Sequence, residues 1–367
     1  MAATTSPAKH VHFTGKNRSD SHSQILMLSY TSTDTFKQLS PSCQQSVAES
    51  FDADAASITI RSCLANSALF PIIAAHKCNK VPLRPSALNA DMALEVAKYI
   101  WTSLRPRKEL PGLNVGEMKI PKPLIADVPQ KHPAQYIEMD AIADLDDGAD
   151  TGIVKCHFRH VQPDGKKIGD WAHCIVRYEN KSAWTDEWSR YEHMVKNSIR
   201  MLQDKSKTGH ACIMQRGLAY KVFESFVTYG EQYRCMREVI FDGLEGTARV
   251  EFQTSEFDHC VPYHLDNTCH LSGFLCNASV DTGPEDNVYV SEGWTSARYL
   301  DLSLLTQGVK CGKVLRNYVH MQPRANGVLQ GDVYVLLDAE VVAVWEGIRF
   351  KELPRKVVNI FLPPPKI

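Results

Sequence analysis

Two short stretches, far apart in the chain, carry the residues best suited to moving protons. The first is His76-Lys-Cys-Asn-Lys-Val-Pro-Leu-Arg-Pro85, followed by an amphipathic stretch over residues 86–101. The second is Pro262-Tyr-His-Leu-Asp266-Asn-Thr-Cys-His270, followed by an apolar stretch over residues 271–280. An imidazole takes a proton readily near neutral pH, and a carboxyl group can give or hold one. Each residue is expected at the mouth of a helix whose apolar face is buried. A base and an acid on matching elements of two half-chains predict one shared site. Each also has a structural reading. His76 can be a satisfied core or surface histidine. Asp266 can be the N-cap of the helix that follows, and His270, four residues on, can simply hydrogen-bond to it.

Other chemistries have less to stand on. His259, Cys260, His264, Cys269 and His270 crowd into twelve residues, but structural zinc sites prefer paired knuckles and no second pair is present. No metal is therefore assigned. Cys78 is the nearest candidate nucleophile and would need an electropositive, partly exposed niche. The chain has no glycine loop of the kind that cradles phosphates, so no nucleotide and no other cofactor is expected.

The elements that must position these residues follow from composition and periodicity. At 367 residues the chain is long enough for two domains, and its 44% hydrophobic and 23% charged content is that of a soluble globular protein. A net charge of -1 offers no field for nucleic acid, and no apolar run is long enough to cross a membrane. The first ten residues lack the apolar core of a secretory signal. Eleven cysteines without a repeating spacing read as reduced thiols, and a cytoplasmic location is expected.

Leu88, Met92, Val96 and Tyr99-Ile100 recur at three- and four-residue spacings and predict a half-buried helix over 86–101, with Pro85 at its start. Trp188, Tyr191, Met194-Val195 and Ile199 predict another over 185–202, and a short helix is read over 40–50. Alternating runs at 151–161 and 170–179 around Pro163-Asp-Gly165 predict a β-hairpin. Six prolines between Pro106 and Pro133 mark irregular or edge-strand chain. After Lys205-Ser-Lys-Thr-Gly209, read as a linker, strands are expected at 218–226, 239–241, 247–252, 287–290, 318–321, 332–337 and 341–353. Many antiparallel strands with few helices argue for an α+β fold in which a curved sheet wraps a central helix, used twice. The expected division is a flexible arm and leading segment over 1–54, a first half over 55–205 with His76, and a second over 206–367 with Asp266.

The two motifs resemble the active-site signatures of polyketide-synthase dehydratase domains and of the product-template domains of fungal non-reducing polyketide synthases. The pattern His-x3-Gly-x4-Pro falls on His76, Lys80 and Pro85, with lysine in place of glycine; Asp-x3-Gln/His falls on Asp266 and His270. Tyr220-Lys-Val-Phe223, Tyr229-Gly-Glu-Gln-Tyr233, Pro262-Tyr263, His270-Leu-Ser-Gly-Phe-Leu-Cys-Asn277 and Tyr318-Val-His-Met-Gln-Pro323 extend the likeness over residues 55–365. Ala75 and Arg84 stand where glycine and cysteine are expected.

This resemblance implies a double hot-dog fold and a His76–Asp266 dyad between the halves, facing a long internal pocket. His270, Asn277, Pro85 and Tyr263 would position the substrate. The implied activity is aldol-type cyclisation, water loss or both on a polyketide, by a stand-alone protein acting in trans. The alternatives are an isomerase, an oxygen-heterocycle-forming cyclase on a released product, and a non-catalytic polyketide-binding module. The implied partner is a polyketide substrate, tethered or not to the carrier protein of a separate synthase; a homodimer stays open. Arg105, Arg107 and Lys108 could meet an acidic carrier or its phosphopantetheine phosphate, or could be a solvated helix end.

Overall fold

A computed structural model describes residues 38–126, 135–253, 259–278, 286–307 and 312–363. The arm expected over residues 1–24 lies outside them, as do Pro129, Pro133 and the end of the apolar stretch after His270.

In the first half, strands β1 (Gln45–Phe51), β2 (Ala55–Cys63), β5 (Gly112–Lys119), β6 (Tyr136–Leu145), β7 (Gly152–Val161) and β8 (Lys167–Glu179) surround helix α2 (Ser86–Leu104). The helix is buried on nearly every side, which requires apolar residues beyond a single stripe. Pro85 is extended at its N-cap, a backbone state proline favours. Ile58 and Ile60, then Met139 and Ala141, then Cys156 and Phe158, then Val176 and Tyr178 are buried at the two-residue period of strands. Tyr178 Oη donates to the Ala97 carbonyl at 2.6 Å, fixing strand against helix.

The second half repeats the arrangement. Strands β9 (Cys212–Gln215), β11 (Met236–Asp242), β12 (Glu245–Glu251), β13 (Asn287–Trp294), β14 (Ser296–Tyr299), β15 (Val314–Arg324), β16 (Val328–Leu337) and β17 (Glu340–Pro354) enclose helix α5 (Val261–Ala278). Val319, Val333, Val335, Ala343 and Trp345 are buried in this half. Asn317 donates to the Thr268 carbonyl at 2.8 Å, tying β15 to α5.

The strands join edge to edge in one sheet of order β1-β2-β6-β7-β8-β5-β13-β17-β16-β15-β12-β11-β9, with β14 also bridging β17 and β5. This is an α+β double hot-dog: two helices, each inside a curved antiparallel sheet. The helices pack against each other. Helix α3 (Lys181–Lys207) lies on the outside of the second half, its Trp188, Val195, Ile199 and Leu202 against Ile240, Tyr318, Leu336 and Val344.

Several expectations are corrected. Residues 45–51, read as part of a helix, form edge strand β1 with alternate pairing to β2. Residues 216–223 form helix α4 (Arg216–Phe223) rather than a strand: Ala219, Tyr220 and Phe223 are buried at three- and four-residue spacings. The proline-rich region holds β5, which sits at the junction of the two halves because its prolines flank the strand instead of interrupting it. Lys205 to Lys207 end α3 rather than starting a linker; Thr208 follows as its cap, and Gly209 turns out at φ 76°. Among the described residues no helix is long and apolar enough to cross a membrane.

Candidate active site

His76 opens strand β3 (His76–Cys78), which forms a small second sheet with β4 (Val81–Pro82) and β10 (Val227–Tyr229). It therefore lies in a hairpin ahead of α2, not at the helix mouth. Asn79 and Lys80 turn that hairpin with φ of 52° and 67°, the left-handed region where glycine is at ease. This explains the glycine of the motif, and the exposed Lys80 side chain takes no part in the site. Asn79 Nδ2 donates to the Leu362 carbonyl at 2.7 Å, which anchors the turn to the segment after helix α7 (Arg355–Phe361).

The small sheet carries the base across the two halves. Tyr229 of β10 pairs in register with His76 of β3. Gly230 donates its N–H to the Ala75 carbonyl at 2.7 Å, and a Cβ at 230 would come within 2.8 Å of the Ala75 methyl. Ala75 thus fits in place of glycine because its neighbour has no side chain.

His76 is buried, and its Nδ1 lies 2.9 Å from the Leu83 carbonyl. A carbonyl only accepts, so Nδ1 carries the proton and Nε2 keeps its lone pair. Burial lowers the His76 pKa, with the Asp266 charge and the Leu83 carbonyl pulling the other way. The result is a neutral imidazole with a free basic nitrogen.

Asp266 is the sixth residue of α5, so it is not the N-cap, and the unpaired N–H groups of the helix start do not reach it. Its Oδ2 is in close contact with His270 Nε2. One proton must lie between them, because two lone pairs repel at that separation. His270 is held in turn by an aromatic cage. The ring of Tyr229 is 4.3 Å away, Phe223 is 6.0 Å away, and Tyr220 Oη lies 3.5 Å from Nδ1. Tyr220 Oη also donates to the Tyr233 carbonyl at 2.9 Å and accepts from Met236 N–H at 3.1 Å. Tyr229 touches both sides of the site, since its ring is 5.5 Å from that of His76. Burial pushes the Tyr220, Tyr229 and Tyr233 phenols well up, so they stay neutral.

His76, Asp266, His270, Asn277 and Pro85 all line one cavity of about 1120 Å³. Asn277 is committed to the Tyr289 backbone, accepting its N–H at 2.9 Å and donating to its carbonyl at 3.2 Å, so it stitches α5 to β13 at the cavity wall. Tyr263 is not brought into this lining. It is buried with its ring 4.7 Å from Tyr233. Tyr229, Phe223, Leu83 and Arg84 also line the cavity, although none of them is among the site residues expected from the motifs. For Tyr229 and Phe223 a signal was present, as both fall within quoted motifs, but their placement depends on β10 crossing to β3.

The other candidates disperse. His259 Nε2 donates to Asp91 Oδ2 at 2.8 Å, His264 Nδ1 meets the Leu305 carbonyl at 2.5 Å, and Cys260 Sγ contacts the same carbonyl at 3.5 Å. Cys78 lines the cavity, but burial pushes its thiol up to about 12, far from a reactive thiolate. Arg105 pairs with Asp54, and Lys108 with Asp150 at 2.7 Å. The cations that line the cavity are instead Lys119, Lys122, Arg349, Lys351 and Arg84.

No protein-family model matches the chain. It is 48% identical over 335 residues to the non-reducing polyketide synthase PKS1 of Zymoseptoria tritici, covering 90% of this chain and 15% of the synthase. It is 39% identical over 329 residues to the non-reducing polyketide synthase Preu8 of Preussia isomera, with 88% and 15% covered. Against the conidial pigment polyketide synthase alb1 of Aspergillus fumigatus it is 36% identical over 316 residues, with 85% and 14% covered. The chain thus spans about 15% of the length of these relatives. Among solved structures, the dehydratase domain from the CurJ module of curacin polyketide synthase aligns with a TM-score of 0.61 at 10% identity, covering 88% of this chain and 99% of that one. The dehydratase domain of RzxB from Pseudomonas fluorescens gives 0.58 at 15% identity, covering 86% and 100%.

Proposed function

From the premise that this chain is homologous to a segment of fungal non-reducing polyketide synthases and has the dehydratase fold, we propose that it is a cyclase or dehydratase acting on a poly-β-ketoacyl chain. The observation that carries this reading is the free Nε2 of a neutral, buried His76 in the same cavity as the Asp266–His270 pair.

His76 Nε2 takes a proton from a carbon flanked by two carbonyls. The resulting enolate carbon attacks a distant carbonyl of the same chain, forming the new C–C bond. The oxygen of that carbonyl becomes an alkoxide and receives the proton held between Asp266 and His270. Water loss reuses the same two groups once the proton taken by His76 has passed through solvent back to the Asp266–His270 pair: the neutral His76 then removes a second proton from the carbon next to the new hydroxyl, and the hydroxyl leaves as water with the proton restored to the pair. Apolar walls keep the imidazole neutral, and the confines of the cavity fold the chain so that one pair of carbons meets. The exposed Lys119 and Lys122 suit the phosphate of a carrier-bound pantetheine arm better than Arg105 and Lys108, whose charges are already paired.

The test is reconstitution. The chain is supplied in trans to a non-reducing synthase lacking the corresponding segment, and products are compared for wild type, His76→Ala and Asp266→Asn. The reading expects a specific cyclised product with wild type and shunt pyrones with both variants. Identical product profiles for all three would make the chain a non-catalytic binding module.

A further inference from the structure

Arg84 is a buried cation of this cavity, and among the described residues no carboxylate is hydrogen-bonded to it. It lines the cavity directly before the helix cap Pro85 and directly after Leu83, whose carbonyl holds His76. The side chain is 5% exposed. Its Nη2 reaches only the Met92 thioether, at 2.9 Å, and its Nε and Nη1 are buried without a partner. The guanidinium stacks 4.3 Å from the ring of Trp171 and 5.7 Å from that of Phe158. Trp171 Nε1 is also buried without a partner. Arg84, which lines the cavity, and Trp171, which packs against it from outside the lining, thus hold three buried nitrogens that are all donors without an acceptor. Asp91 acts on Arg84 through space without a hydrogen bond to it: its Oδ2 is taken by Ser42 and His259, and its Oδ1 is buried without a partner.

A buried guanidinium is costly unless an acceptor completes it, and an unpaired donor adds a further cost. A protein can keep such a group when a ligand supplies the missing oxygen. We propose that Arg84, held against the ring of Trp171, forms a subsite for an anionic oxygen of the substrate, and so selects acyl chains or cyclic products that carry one. The chemistry is a carboxylate or the ionised oxygen of a 1,3-dicarbonyl. This deepens the proposed function and rests on it for the identity of the cavity, while its own test does not need turnover. Because Leu83 and Arg84 are consecutive, an oxygen held at Arg84 is placed at a fixed reach from His76 Nε2, which would set which carbon meets the base.

The experiment is calorimetric titration at pH 7.5 with two anionic probes, 2-naphthoate and 4-hydroxy-6-methyl-2-pyrone, and with their uncharged O-methyl derivatives. Wild type, Arg84→Met, Arg84→Lys and His76→Ala are compared. Wild type should bind at least one anion about tenfold or more tightly than its methylated form. Arg84→Met should lose that preference, Arg84→Lys should keep part of it, and His76→Ala should keep it in full. Preference for the naphthoate alone assigns the oxygen to a carboxylate; preference for the pyrone alone assigns it to an ionised dicarbonyl. Equal binding of charged and methylated probes by wild type overturns the proposal, as does no binding of either anion or an undiminished preference in Arg84→Met. If His76→Ala makes product normally while the anion preference stands, the catalytic reading fails and the subsite survives.

Discussion

Replacing Arg84 by methionine should make the ligand-free protein more stable, although it deletes a charged residue that touches many others. Burial brings the guanidinium down to about 9. That is roughly three to four powers of ten below free arginine, and each is about 1.4 kcal/mol, so the cost of the charge is about 5 kcal/mol at most. Methionine has a similar length, fills the space against Trp171 and Phe158, and carries no charge to desolvate. Swapping buried charges for apolar groups of like volume has typically gained about 1–4 kcal/mol. For a chain of this size that is a rise in Tm of about 1–5 °C.

The sign with pH follows from which state holds the proton. Below pH 9 arginine is charged both folded and unfolded, and the folded state bears the full penalty. Above pH 9 the folded form can release the proton while the unfolded form retains it, so wild-type stability recovers relative to the variant. The gain from Arg84→Met should therefore be complete at pH 7 and smaller at pH 10. Differential scanning calorimetry of both proteins at the two pH values measures it. A destabilised Arg84→Met at pH 7, or a gain that grows toward pH 10, would refute the reasoning and make Arg84 a structural cation.

Other consequences are checked more simply. Burial lowers the His76 pKa, so the acid limb of kcat/KM should fall at a pH below that of an ordinary histidine; stability linked to this group should likewise be present above the ordinary value and be lost as pH falls through the lowered one. A pH–rate profile with its limb above pH 7 would count against His76 as the neutral base. Tyr220→Phe leaves the Tyr233 carbonyl and the Met236 N–H without their partner, so it should cost about 1–3 kcal/mol by denaturant unfolding; a loss below about 0.5 kcal/mol would show that the hydroxyl is not structural. Lys80→Gly relieves a left-handed φ and should stabilise by about 1 kcal/mol with product formation unchanged, since the lysine lies outside the cavity lining. Changed products for Lys80→Gly would restore a chemical role for that position.

What the sequence made legible, and what it did not, follows from the range of the interactions involved. The α+β class, the helix from Ser86 and the hairpin at 152–179 rest on local periodicity, and they are present. Residues 45–51 and 216–223 were misread because short apolar runs are ambiguous between strand and helix, and pairing with a distant partner decides. His76 and Asp266 could be named from motifs, but their protonation could not. The tautomer of His76 depends on the Leu83 carbonyl, and Asp266 is hydrogen-bonded to His270 inside a cage of aromatic rings from α4 and β10. Asp266 looked like a cap because the residues before it, Pro262 to Leu265, gave no clear helix signal, yet they are its first turn. Arg84 was visible only as a departure from the family pattern. Its lack of an acceptor emerges once Met92, Phe158 and Trp171 are seen around it.

The central claim, that His76 Nε2 removes a proton from carbon, is tested most directly by solvent deuterium exchange. A β-ketoacyl thioester too short to cyclise is incubated with the protein in heavy water, and label entering the carbon between its carbonyls is followed by NMR against the protein-free rate. Wild type should accelerate exchange, His76→Ala should lose that acceleration by about a hundredfold or more, and Asp266→Asn should keep most of it, because exchange needs only the base. Acceleration that survives in His76→Ala would contradict the account.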